Sequence, residues 1–517
     1  MHVQGITKQG EYFDSVSLMR VARALTDMPG VVDAAVVMGT AENRAILEAA
    51  GFLVPELREV GDTDLVIVVK AEQEATIQAA VKQVERLLEE LRHTHDDAED
   101  FLPKSLDGAL TMLPEANVAL ISVAGKYAAH EAMKALKQGL HVMIFSDNVT
   151  VEDEVELKAY ARDKGLLVMG PDCGTAIING IPLAFANVVN GGNIGIVAAS
   201  GTGLQEVSCV ISNAGAGISQ AIGTGGRDVQ EAVGGIMFLE ALKALNNDGA
   251  TDVIVLISKP PHAAVLRKIA AEITAIKKPI VAICLGADPE TLRQAGAIPA
   301  QTLEEAGLLT VALSRGNDAD SVKAELEART NELKAIAAQE AEKRQPSQKY
   351  ISGLFSGGTL CDEAQLILRD IVGNVYSNTP VTPDCALEDI SKDRDHTMLD
   401  LGDDEFTVGR PHPMIDFSLR KNRLLEEAAD PEVAVILLDV VLGYGAHLNP
   451  ADELVPVIRE AKTLAADAGR YLDIVCSITG TAQDPQQKSS VKLALQNVGA
   501  LVMESNAAAC ELAGYIC

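Results

Sequence analysis

The chain has 517 residues, 48% hydrophobic but only 3% aromatic and without Trp, which gives roughly three to four domains built as α/β layers rather than an aromatic-rich sandwich. Its 43 basic and 73 acidic residues leave a net charge of −30. Such a surface repels nucleic acid and anionic membranes, and it admits a small anionic substrate only where backbone N–H groups and a few basic side chains converge.

Residues 1–92 read as a small N-terminal α/β or ferredoxin-like domain. Helices are expected at 15–25, 41–50 and 71–91, and strands at 34–38 and 65–70. Residues 93–103 read as an acidic linker ended by Pro103, with His93 and His95 solvated rather than holding a metal. From 105 to 190 the pattern is strand 118–123, helix 128–137, strand 141–145, helix 151–164 and strand 166–169. This is a Rossmann-like parallel unit without a G-x-G-x-x-G turn, so no nicotinamide or flavin site is expected. It ends in Gly170-Pro171-Asp172-Cys173-Gly174-Thr175, where Cys173 offers either a nucleophile or part of a binding turn.

Residues 191–343 open on an apolar strand at 194–198, then Ser200-Gly201-Thr202-Gly203 and a helix. A strand, a small-residue turn and a helix start aim free N–H groups and a positive dipole at one spot, which favours an anion. Gly223-Thr224-Gly225-Gly226-Arg227-Asp228 follows, with Arg227 placed either for an anion or for a salt bridge to Asp228. A strand at 252–257 ends in Ser258-Lys259-Pro260-Pro261, and the strand at 280–285 precedes Gln294-Ala295-Gly296-Ala297-Ile298. Helices are expected at 302–313 and 318–342, and the linker 344–348 closes the segment.

The same grammar returns at 350–517. A strand at 350–355 leads into Ser356-Gly357-Gly358-Thr359 and a helix, and later strands fall at 433–439, 473–477 and 501–503. Segments 191–343 and 350–517 therefore read as two flavodoxin-like domains related by duplication. Between them in chemistry stands Arg410-Pro411-His412-Pro413, just after Asp403-Asp404. Two prolines stiffen this loop, so Arg410 anchors an anionic substrate and His412 serves as acid or base, or else Arg410 simply pairs with Asp400, Asp403 or Asp404. The eight cysteines are scattered without a C-x-x-C pair, so neither a disulfide framework nor a zinc site is expected, and no metal. With no leader pattern and no bilayer-length apolar run, the expectation is a soluble, cytoplasmic protein.

Gly170–Cys173, Gly195–Thr202, Gly223–Asp228 and Ala295–Ile298 resemble, in order, motifs of the succinyl-CoA synthetase α-subunit, and 350–517 resembles the ligase domain of its β-subunit. Phe13–Met19, Phe145–Val149, Leu167–Thr175 and Val408–Asp416 are similar to signatures of the FdrA family of acyl-CoA-synthetase-like proteins. That resemblance implies a Rossmann-like CoA-binding-type domain and two ligase domains. It also implies two helix starts, at Ser200 and Ser356, facing each other. Those starts and Lys259 would hold phosphate or a carbamoyl or acyl phosphate, while Asp172, Cys173, Gly174, Asp403 and Asp404 would contact substrate.

Three departures qualify the resemblance. Gln294 stands where the synthetase has its phosphorylated His, Lys259 stands for a Glu, and both the CoA phosphate loop and the ATP-grasp domain are missing. The resemblance implies a subunit of an oxamate-type carbamoyltransferase in ureide catabolism, homo-oligomeric and working with partner subunits encoded by neighbouring genes. The alternatives are an acyl-CoA synthetase using CoA and nucleotide with a separate ATP-grasp partner, and a non-catalytic scaffold.

Overall fold

The structure is a computed structural model and describes all residues except 1, 10, 12, 14, 27, 41–42, 45–46, 48–51, 53, 55–56, 58–59, 62–63, 72, 97–102 and 408–410. It divides into two units, Met1–Met112 with Asp404–His412, and Leu113–Asp403 with Pro413–Cys517.

In the first unit, the central strand Leu65–Ala71 pairs antiparallel with His2–Lys8 on one side and Val31–Met38 on the other. Its unbroken apolar run is buried on both faces, as a covered central strand requires. Leu65, Ile67 and Val69 pack under the helices Ser15–Thr26 and Glu74–Asp96 through Leu18, Leu25, Ile77 and Val84. Val66 and Val68 meet Leu47, Phe52 and Leu57 on the opposite face. The second helix runs to Asp96, so His93 and His95 lie in its last turns rather than in a linker. The expected helix at 41–50 falls mostly outside the described residues.

The second unit holds three sheets. Val118–Ile121, His141–Ile144 and Val168–Met169 form a small parallel sheet, with helices Gly125–Lys137 and Val151–Lys164 in its crossovers. The hairpin Thr175–Ile178/Ile181–Ala184 does not join it. Instead it extends the next sheet by antiparallel pairing of Ile177 with Ala221. That sheet runs Ile298–Pro299, Ile280–Cys284, Val253–Ser258, Gly191–Ala199, Ile218–Gly223 and then the hairpin. The third is Val375–Ser377, His396–Asp400, Tyr350–Phe355, Val433–Val441, Asp473–Thr479 and Leu501–Met503, all parallel. The protein is thus a mixed α/β molecule built on parallel sheets, with a Rossmann-like part.

In the parallel part of each large sheet the chain starts in the middle and winds outward both ways, so the carboxyl ends of the first parallel strand and its later-arriving neighbour form a switch point where α/β sheets place ligands. Those ends are Ala199 beside Ser258 and Leu354 beside Leu438. The two switch points face each other, because helices Gly201–Asn213 and Gly358–Val372 pack together in one shared core.

A reciprocal pair of hydrogen bonds crosses this interface. Glu206 and Glu363 each lie six residues past their helix N-caps, Ser200 and Gly357. Glu206 accepts from the Asn506 N–H at 2.9 Å, the start of the last helix of the other domain. Glu363 returns the arrangement, accepting from the Leu303 N–H at 2.6 Å at the start of helix Leu303–Ser314. Each domain thereby satisfies an orphan helix donor of its twin.

Burial pushes the Glu363 carboxyl up to about 8, against the lowering pull of its Asn506 and Leu303 hydrogen bonds. Burial likewise raises Asp400 and Asp473 to about 7 and Glu427 to about 8. A folded-state pKa above the unfolded one means the native state holds the proton more tightly. The stability is full below the ordinary carboxyl range and is lost as pH rises through about 7 to 8, at about 1.4 kcal/mol per unit of displacement. Melting temperature is therefore expected to fall between pH 5 and pH 9. Glu363→Gln should flatten part of that slope, measured by calorimetry in a common buffer series.

Candidate functional site

The helix Gly201–Asn213 starts where the apolar strand Gly191–Ala199 ends. Ser200 caps it, its Oγ accepting from Gly203 N at 2.9 Å. The same Oγ lies 2.6 Å from Thr359 Oγ1, in the first turn of helix Gly358–Val372. The two helix starts expected to oppose each other do meet, but hydroxyl to hydroxyl. A Cβ on Gly357 would stand 2.9 Å from Thr202 Cγ2, so no space for phosphate separates them there.

The second start is already supplied with an anion from within the chain. Asp439, at the end of strand Val433–Val441, accepts from Ser356 N at 2.8 Å and Gly357 N at 2.8 Å, and from Ser356 Oγ as well. Arg420, fully buried, pairs with the same carboxylate and donates to Leu354 O. The expected phosphate seat at Ser356–Gly357 is thus occupied by a buried carboxylate–guanidinium pair. The local pattern was right for an anion but could not say which anion.

Beside this contact opens a pocket of about 360 Å³, lined by Lys259, Pro260, Leu285, Asp362, Leu366, Thr379, Pro380 and Val381. Lys259 follows strand Val253–Ser258, and its side chain is 38% exposed. Its Nζ lies 2.8 Å from Asp362 Oδ2, on the second turn of helix Gly358–Val372. Asp400 closes the group. It accepts from Gly402 N at 3.0 Å, and a Cβ on Gly358 would lie 2.5 Å from its Oδ2, so only glycine admits the carboxylate at this helix start. Burial raises Asp362 and carries Asp400 to about 7, with Lys259 pulling both down. Desolvation opposes the Lys259 charge, yet the carboxylates prevail and hold its pKa above the ordinary lysine value. The cluster therefore keeps one cation beside carboxyls that burial holds toward their protonated forms.

The equivalent place on the other switch point is filled. Asn187 donates to Leu442 O and to Asp484 Oδ2, both at 2.9 Å, while Gln205 reaches Asn187. One of the two quasi-equivalent sites is open and the other plugged.

The remaining expected residues fall as follows. Gln294 is exposed at the end of helix Pro289–Gln294, its amide on Glu290 at 3.1 Å. Arg227, read as an anion ligand or a partner of Asp228, pairs instead with Glu154 and Val149 O. Asp228 is taken by buried Lys158 and caps helix Ile236–Asn247 through Phe238 N. Cys173 is 2% exposed, its thiol directed at the carbonyls of Thr175 and Gly223, and burial pushes it up to about 12. That environment excludes a nucleophile. Cys173 is expected to stay unlabelled by iodoacetamide in the native protein and to react only after denaturation, read by mass spectrometry.

Asp172 and Gly174 flank Cys173 in the same turn, Asp172 with φ of 52°. Asp403 ends the second unit's stretch, whereas Asp404 and His412 belong to the first unit and Arg410 lies outside the described residues. The sequence reading missed Asp362, Asp400 and Asp439 as site residues; the one signal available was their place at strand ends or on the first turns after the glycines. Among the described residues no group of three or more His, Cys, Asp or Glu could hold a metal ion, and no helix is long and apolar enough to cross a membrane.

A family model described as CoA-ligase matches residues 354–516, and one described as AllF, heavy metal-associated domain, matches residues 1–101. Residues 1–101 contain no Cys, so no thiolate is available there to a soft metal. The chain is 31% identical over 176 residues to the α-subunit of an ADP-forming succinate–CoA ligase from Methanothermobacter thermautotrophicus, spanning 58% of that subunit and 34% of itself. Among solved structures it is similar to PH0766 from Pyrococcus horikoshii, with 14% identity, TM-score 0.32 and coverage of 77% of this chain and 83% of that one. It is also similar to an ATP citrate lyase from Methanothrix soehngenii, with 19% identity, TM-score 0.36 and 41% of each chain. The uncharacterized protein YahF of Escherichia coli is 45% identical over 507 residues, 98% of this chain and 97% of YahF. With that match along nearly its whole length and a CoA-ligase domain at its carboxy-terminus, the chain belongs to the acyl-CoA-synthetase-like family that includes YahF.

Proposed function

We propose that the chain is a ligase-type subunit that transfers a group to or from a small carboxylic acid held in the Lys259 pocket, without a phosphoenzyme. The observation that carries this reading is the Lys259–Asp362–Asp400 cluster beside an open pocket at the paired switch points. Lys259, the lining cation, faces the substrate's carboxylate, with Asp362 beside it. The matches to CoA-ligase and to succinate–CoA ligase support this class over other uses of the fold. CoA and nucleotide sites, in this reading, are completed by separate partner subunits.

A second, finer reading is the FdrA-type one, in which the transferred group is carbamoyl and the donor carbamoyl phosphate. It is favoured by Gln294, since an amide cannot accept and pass on a phosphoryl group. Incubation with radiolabelled ATP or GTP is expected to leave no acid-labile phosphate on the protein. Stoichiometric label would overturn both readings. Product formation from ATP plus CoA with a carboxylic acid, against carbamoyl phosphate plus oxamate, each with and without partner subunits, separates the two.

A further inference from the structure

The small parallel sheet ends on strand Val118–Ile121, which pairs with His141–Ile144 on one side and with no strand of the described residues on the other. Its sequence Val-Ala-Leu-Ile is that of an interior strand, yet Leu120 is 49% exposed. The two ends of the neighbouring seven-stranded sheet, Ile298–Pro299 and the hairpin strand Ile181–Ala184, each carry a proline, the residue that blocks further pairing. Strand Val118–Ile121 carries no proline, no charge and no bulge.

The hydrogen bonds to the paired side show which backbone groups are left over. Asn117 O and Ile121 O accept from His141 N at 2.8 Å and Phe145 N at 2.9 Å, so Asn117, Ala119 and Ile121 direct their groups inward. Val118 and Leu120 therefore direct N–H and C=O outward. Across an antiparallel two-fold centred on Ala119, Val118 and Leu120 of one copy would exchange both bonds with Leu120 and Val118 of another. That register sets the smallest side chain of the strand at the close, non-hydrogen-bonded crossing.

The flanks match as well. Leu113–Tyr127 holds one acid, Glu115, and one base, Lys126, in a chain of net charge −30, so this stretch is spared the repulsion that separates two copies elsewhere. The two-fold brings the start of the strand, with exposed Leu113 and Glu115, beside the end of its copy, with Lys126 and exposed Tyr127. Opposite charges and apolar side chains then meet at both ends.

We propose that strand Val118–Ile121 is a self-association edge, to which a second copy of this chain adds its own Val118–Ile121 in antiparallel register. The two small sheets become one continuous sheet, with Leu113, Leu120 and Tyr127 covered at the seam and Glu115 paired with Lys126 of the second copy.

The test is sedimentation equilibrium on the full chain over a range of concentrations, with circular dichroism on every variant to confirm folding. The unaltered chain is expected to reach twice its monomer mass. Leu120→Lys sets a charge at the seam, and Leu120→Pro removes an outward N–H while leaving the ladder to His141–Ile144 intact. Each is expected to raise the dissociation constant about tenfold or more. Glu115→Lys alone should weaken the dimer, and Glu115→Lys combined with Lys126→Glu should restore it, because the swap re-forms the pair across the two-fold. A chain that stays monomeric, a dimer indifferent to both Leu120 variants, or a charge swap no better than Glu115→Lys alone would overturn the proposal.

Discussion

Asp439→Ala is expected to destabilise the second unit by about 3–5 kcal/mol, the usual consequence of removing one partner of a buried ion pair. The truncation strands the Arg420 guanidinium, buried and left with only Leu354 O, and orphans the N–H groups of Ser356 and Gly357 at the head of helix Gly358–Val372. Against a typical stability of about 5–15 kcal/mol this is a large fraction, and it shows as an early unfolding transition in urea. A charge and its counter-charge removed together do less harm than either alone. The double variant Arg420→Met with Asp439→Leu is therefore expected to lose less than the sum of the single losses, and a strictly additive result would mean the pair is not coupled.

Lys259→Ala is expected to reduce turnover by about two to three orders of magnitude while leaving the fold standing. The pocket loses its lining cation, so a bound anion would face Asp362 uncompensated. Folding survives because both carboxyls are already displaced upward and can take up protons once the ammonium is gone. Lys259→Arg should restore part of the activity, since it keeps the charge but spreads it over a planar group that fits Asp362 differently. Steady-state kinetics on each variant, with a melting curve beside it, is the check. Near-normal turnover in Lys259→Ala with a normal melt would remove this pocket from the chemistry.

Features set within a few residues are legible along the chain. Apolar runs ending in Ser200-Gly201-Thr202 and Ser356-Gly357-Gly358-Thr359 specify buried strands followed by helix starts, and their repetition specifies two like domains. Gln294 removes phosphoryl relay at its position whatever the packing around it. The strands Val375–Ser377 and His396–Asp400 escaped notice because one is three residues long and the other ends in charge, so neither shows a clear period.

Which charge meets which depends on packing between distant segments. Arg227 looked free for a ligand until the small parallel sheet brought Glu154 to it, and Asp228 seemed its neighbour's partner until Lys158 claimed it. The Ser356 turn looked like an empty anion seat until parallel pairing of Tyr350–Phe355 with Val433–Val441 set Asp439 upon it, 83 residues away in the chain. Lys259, Asp362 and Asp400 come from three separate elements and acquire their pocket only when two domains dock. Helix starts and strand ends follow from backbone hydrogen bonding within a few residues, which a sequence displays. Charge pairing and proton affinity follow from distance and burial, which strand register and domain packing fix.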